Sequence, residues 1–148
     1  MKAEPVGDYS IDDLKRDKTE SWDGVRNYQA RNFMRDQMKK GDLVLFYHSN
    51  SDPSGVVGVA KVVKESHVDY TQFDKKDSHY DPKATKENPR WFMVAIGFVK
   101  KFPKMVTLAE LKAEKSLVKM LVVQKGQRLS VQPVEKKHFE KVLAMAKS

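Results

Sequence analysis

The chain has no cysteine, which excludes disulfides, thiolate zinc sites and cysteine nucleophiles together and fits a reducing compartment. Its seven glycines are too scattered to form a loop that cradles a phosphate with backbone N–H groups, so enzymes using ATP or a dinucleotide find no support and no cofactor is implied. No segment approaches the roughly 18 uninterrupted apolar residues of a membrane span. The start, MKAEPVGDYS, lacks the apolar centre of a secretory signal. No membrane partner is expected, and with no basic nuclear-targeting tail evident the expected setting is cytoplasmic, of bacterial type, or nuclear if the source is eukaryotic. Repeats, low-complexity tracts and interdomain linkers are missing as well. The 148 residues are therefore read as one domain, 1–148, long enough to bury about two thirds of the surface its unfolded form would expose.

Positive charge is what the chain has in excess: 28 Lys and Arg against 20 Asp and Glu, a formal +8. Such a balance favours polyanionic partners through long-range attraction. Many of the lysines nevertheless lie in mixed-sign runs such as KATKENPR and VEKKHFEK, which read as solvated surface.

Catalytic chemistry has little to stand on. None of His48, His67, His79 and His138 sits in a nucleophile, zinc-helix or phosphate-loop pattern. His48 and Ser49 would point to opposite sides of a strand. The HVD and HYD triplets of His67 to Asp69 and His79 to Asp81 specify no third ligand, so no metal is expected. The Asp12-Asp13 pair belongs to a helix start.

The coarse order of elements is legible. Ser10 and Asp13 stand in cap-like spacing before Ile11 and Leu14, predicting a short helix. From Asn27 to Lys39 a second helix is predicted by Ala30, Phe33, Met34, Gln37 and Met38, with Gly41 as its left-handed end. LVLFYHS and GVVGVAKVVKE form a predicted hairpin across SNSDP, and WFMVAIGFVKKF (Trp91 to Phe102) a third strand, buried on both faces. Gly58 and Gly97 mark bulges or close backbone approaches. Ser66 to Arg90 reads as a long polar loop of the kind that is usually functional or disordered. Thr107 and Glu110 have capping-box spacing, MLVVQKGQRLSVQPV supplies a turn and a short strand, and EKKHFEKVLAMAK a closing helix with Phe139, Val142, Leu143 and Met145 or Ala146 inward. These elements make an α+β domain built on a compact, curved or closed sheet.

The most unusual stretch is SWDGVRNYQARN, Ser21 to Asn32. Flat bases are gripped by aromatic stacking and read at their edges by amides and arginines. Trp22, Asn27, Tyr28, Gln29 and Asn32 supply both kinds of contact, and Tyr28, Arg31, Asn32, Arg35 and Lys39 recur along one helical stripe. Asn27 also suits a helix cap, and the arginines could pair with Asp23 or Asp36. FYHSN (Phe46 to Asn50) and RLSVQPV (Arg128 to Val134) place polar groups at strand ends, where a rigid strand presents them to a ligand.

Taken together, AEP at Ala3 to Pro5, WDGVRNYQARNFMRD, GDLVLFYHSN, GVVGVAKVV, YDPK, PRWFMV and RLSVQPV resemble the EVE domain, in order and over nearly the whole chain. The resemblance implies a PUA-like fold, a small, strongly curved β-barrel with peripheral helices, and a non-enzymatic module that binds DNA or RNA and accepts a modified or flipped base in a pocket. By that likeness Trp22 and Trp91 are expected as aromatic walls, with Asn27, Tyr28, Asn32, His48 and Ser49 as polar edge contacts. Ser130 and Gln132 are expected on the opposite wall, and Arg26, Arg31 and Arg35 on flanking phosphates. A pocket for a free nucleoside or metabolite is the alternative; an enzyme acting on nucleic acid is the less supported one.

Overall fold

The computed structural model describes residues 2–3, 10–22, 27–49, 53–124 and 131–146. Its centre is a five-stranded sheet in the order β1-β3-β4-β5-β2. The strands are β1 (Lys2–Ala3), β2 (Thr19–Ser21), β3 (Leu43–His48), β4 (Gly55–Val68) and β5 (Phe92–Thr107). β1 pairs with β3 in parallel, and every other neighbour is antiparallel. The α+β class holds, but among the described residues the sheet is open: β1 and β2 form its two edges and do not pair, so the expected closed barrel is corrected to a curved, open sheet.

Helices cover both faces. On one side α1 (Ile11–Asp17) and α2 (Tyr28–Asp36) bury Ile11, Leu14, Ala30 and Met34 against Val44 and Phe46 of β3 and Val94 and Ile96 of β5. On the other, α3 (Leu108–Ala113) and α4 (Lys136–Ala146) bury Leu111, Val142 and Ala146 against Leu45, Tyr47, Val59 and Phe102. Strand β3 thus feeds alternate side chains into two cores, which explains its near-continuous apolar sequence.

Local signals set the helix starts. Ser10 and Asp13 form a reciprocal capping box, Asp13 N–H donating to Ser10 Oγ (3.1 Å) and Ser10 N–H to Asp13 Oδ2 (2.9 Å). Asn27 Oδ1 accepts from Ala30 N–H (3.1 Å) and Thr107 Oγ1 from Glu110 N–H (3.1 Å). Helix α2 stops at Asp36, short of the expected Lys39; Gly41, at φ +94°, lies in the turn beyond it and donates its N–H to Val62 O (2.8 Å). Tertiary pairing therefore takes over before the helical pattern runs out.

The strands outrun their sequence signals. β4 and β5 extend to Val68 and Thr107, and β1 and β2 were not expected. Pro103, which has no N–H to give, falls where the β4–β5 ladder skips from Lys101↔Gly58 to Val106↔Val56. Val131 to Glu135 form no strand, so that expectation is corrected; the preceding Lys125 to Ser130 lie outside the described residues. The long loop is organised by a 3-10 turn at Tyr70–Phe73.

Gly58 sits at the bulge, where a Cβ would stand 2.4 Å from Lys100 O. Backbone cannot withdraw as a side chain can. Gly58→Ala is expected to destabilise the fold by about 1–3 kcal/mol or more, read as a lower urea midpoint with an unchanged denaturant slope.

Candidate functional site

The residues expected at the site fall into two neighbouring groups. The first surrounds the end of β3. Trp22, half-buried, meets Phe46 edge-on at 5.7 Å between ring centroids, and Phe46 meets His48 at 5.8 Å. His48 is 8% exposed, and its Nε2 accepts the backbone N–H of Ile11 at 3.0 Å. That bond requires a neutral ring with its proton on Nδ1. Burial holds the His48 pKa below the ordinary imidazole value; Lys101 pulls the same way, while Asp12 and Asp13 oppose it. Ser49 follows directly, half-buried.

The second group lies where α2 crosses the beginning of β5. Tyr28 stacks on Trp91 with centroids 4.9 Å apart and planes 24° from parallel. Trp91 is 6% exposed and Tyr28 45%, so Tyr28 is the outer ring of the pair. The Arg31 guanidinium lies 4.7 Å from the Tyr28 centroid and 6.0 Å from that of Trp91. Arg31 Nη1 donates to Arg90 O (2.9 Å), and its Nε and Nη2 donate to Asn32 Oδ1 (3.0 and 2.7 Å). Arg35 sits 5.8 Å from the Phe92 ring and is paired with Asp36 at 2.9 Å. Trp22 links the groups, since its N–H donates to Val94 O (2.7 Å) on β5.

Other expected residues fall differently. The Asn27 oxygen is taken by the helix cap and the Asn32 oxygen by Arg31. Gln132 lines a separate groove of about 670 Å³ between Met38 just beyond α2, Leu43 to Leu45 of β3, and Phe139 and Leu143 of α4. Arg26 and Ser130 lie outside the described residues.

The sequence reading missed the framework behind Trp91. Gln72, fully buried, donates from Nε2 to the carbonyls of Asp69 (2.6 Å) and Trp91 (2.8 Å). Its Oε1 accepts from the N–H groups of Arg90 (2.9 Å) and Trp91 (3.0 Å). Asp81, whose N–H donates to Gln72 O (3.0 Å), accepts Trp91 Nε1–H at 2.7 Å and Arg90 Nη1 at 3.4 Å through Oδ2. Arg90 Nη2 also donates to the Tyr28 hydroxyl. The PRW and YDPK segments were the available signals, and they marked positions without partners.

An open sheet covered by helices on both faces, with an aromatic–arginine cluster at one end, makes this an α+β domain, and the family model for the EVE domain matches residues 1–145. The chain belongs to that family. It is 44% identical over 162 aligned positions to human thymocyte nuclear protein 1, covering 98% of this chain and 72% of that protein, and 45% identical to the chicken protein, covering 93% and 60%. It therefore spans less than two thirds of the chicken relative. The solved DUF55 domain of human thymocyte nuclear protein 1 superimposes with a TM-score of 0.92 at 42% identity, covering 99% of this chain and 96% of that one. Human THYN1 in complex with DNA containing 5-methylcytosine superimposes with a TM-score of 0.91 at 44% identity, covering 100% and 96%.

Two outcomes follow from this geometry. Gln72→Leu strands the amides of Arg90 and Trp91 in the interior and is expected to cost at least about 2 kcal/mol, measured by urea unfolding. For His48, the folded pKa lies below the unfolded value of about 6.5, so the folded state binds fewer protons. Its contribution is fully present above that value and declines as pH falls through it towards the depressed folded pKa. The melting temperature should drop over this window, and His48→Gln, which keeps an acceptor but cannot titrate, should remove that part of the drop.

Proposed function

We propose that this EVE domain is a non-enzymatic nucleic-acid-binding module that accepts a flipped or modified base. The observation that carries the reading is the complex of human THYN1 with 5-methylcytosine DNA, a relative that matches this chain from end to end at 44% identity. The +8 balance and the Trp91–Tyr28–Arg31 stack support it. In this reading Trp22, His48 and Ser49 line the base slot beside the end of β3; Gln132 belongs to the separate groove, and a contact from Ser130 rests on the family likeness alone. Tyr28 offers an outer aromatic surface backed by Trp91, Asn27 and Asn32 present amide groups at its rim, and Arg26, Arg31 and Arg35 meet flanking phosphates.

Magnitudes constrain the mechanism. Extruding a base costs a few kcal/mol, whereas one aromatic stack returns roughly 1–3 kcal/mol. Edge hydrogen bonds and phosphate contacts must supply the remainder. A single methyl is worth only about 1–3 kcal/mol in an apolar pocket, so preference for a methylated base is modest and a polar substituent is discriminated more sharply.

A second reading, a free nucleoside or metabolite as ligand, is favoured by the groove of about 670 Å³ that Gln132 lines, a size typical of small-molecule sites. It predicts saturation by the free compound, without any polymer, at a stoichiometry of one.

The test titrates matched modified and unmodified oligonucleotides at two salt concentrations. Trp22→Ala, with folding checked by circular dichroism, should erase the preference for the modified base. Lys39→Ala should keep that preference and lower the salt slope by about one. Equal binding to every oligonucleotide, governed by salt alone, would refute base recognition.

A further inference from the structure

At the junction of α2 and β5, Arg31 and Arg90 flank one aromatic ring, with guanidinium carbons 4.7 and 5.7 Å from the Tyr28 centroid. Arg35 lies beside them, 5.8 Å from the Phe92 ring. The compensating charge is incomplete. Asp36 serves Arg35, and Asp81 is shared between Arg90, at 3.4 Å, and the indole N–H of Trp91. Arg31 donates to a backbone carbonyl and a side-chain amide, both neutral. Burial lowers the Arg31 pKa and the positive charges of Arg35 and Arg90 lower it further, while Tyr28 and Asp36 oppose them.

Three guanidiniums thus gather with two carboxylates, which leaves the cluster net positive. Each guanidinium is planar, carries N–H donors beyond those already engaged, and has been fixed by stacking before any ligand arrives. Phosphodiester oxygens match that chemistry: they are anionic, accept forked hydrogen bonds and follow one another along a strand. Arg90 stands apart from the other two in origin, since it comes from the far end of the 69–91 loop while they lie on α2. Its backbone N–H and its side chain are both anchored, the first by Gln72 and the second by Asp81 and Tyr28.

Resting on the nucleic-acid reading above, we infer that Arg90 is a phosphate-contacting residue, completing with Arg31 and Arg35 a track for the sugar-phosphate backbone next to the base slot. The contact carries no base information, so it acts equally on modified and unmodified strands.

The experiment measures binding of a fluorescein-labelled duplex containing 5-methylcytosine, and of its unmethylated match, across a salt series. Arg90→Gln should reduce the slope of log affinity against log salt by about one on both duplexes, leaving their affinity ratio as in the wild type. Arg90→Lys, which keeps the charge and gives up the fork, should retain the wild-type slope. An unchanged slope in Arg90→Gln overturns the inference, as does a loss confined to the methylated duplex, which would make Arg90 a base-reading group. Loss of slope in Arg90→Lys as well would mean that the residue acts only through the Tyr28–Asp81 framework, and also overturns it. Failure of the wild-type protein to bind either duplex would instead reject the nucleic-acid reading itself.

Discussion

The side-chain amide of Gln72 is the constraint on which the arrangement of the site depends. A primary amide offers two donors and two acceptor positions, and in this buried setting all are used, each by the backbone of residue 69, 90 or 91. The side chain acts as a rung joining the two ends of a loop that separates the long strands β4 and β5. With that rung in place Trp91 has a fixed orientation, Asp81 reaches its indole N–H, and Tyr28 has a rigid surface to stack on. The polar loop is therefore ordered by hydrogen bonding where apolar burial is scarce. A fully satisfied buried amide of this kind specifies geometry sharply, because every alternative leaves a polar group unpaired.

Charge alone does not mark the interface. Several basic residues sit in exposed pairs such as Arg16 with Asp13 and Asp17, Lys101 with Asp12 and Lys141 with Glu114, pairs that contribute little energy individually. The arginines over Tyr28 and Phe92 differ in being supported by rings and collected from two separate parts of the chain. An aromatic bed holds a guanidinium near the surface in a fixed orientation, so the three cations are pre-arranged with only two carboxylates, Asp36 and Asp81, among them.

The sheet gives these groups a stable base. Its two faces are filled by different helices, and bulges at Gly58 and around Val62 to His67 let β4 bend between the two cores. His48 ties this platform to α1 by accepting the first N–H of the helix, so the end of β3 that faces the proposed slot is positioned by a neutral imidazole. Trp22 is set by its backbone bond to β5 and by the edge of Phe46. Both residues can serve structure and recognition together, since a ligand would meet groups whose positions folding has already fixed.

The sequence by itself determined the features that act over a few residues. The Ser10–Asp13 box, the caps from Asn27 and Thr107, and the apolar runs of β3, β4 and β5 were legible because their partners lie within a helical turn or along one strand. Likeness to the EVE family was readable in the spacing of several such segments. Only the tertiary structure decided that the sheet stays open, that α2 ends at Asp36, that short strands border both edges, and that Gln72, Asp81 and Arg90 stand behind Tyr28. Arg90 and Tyr28 are 62 positions apart, Arg31 and the Arg90 carbonyl 59, and His48 and Ile11 37. Such contacts arise only after the chain has closed long loops around its cores, and no local preference of the residues concerned records which partner closure will bring to them.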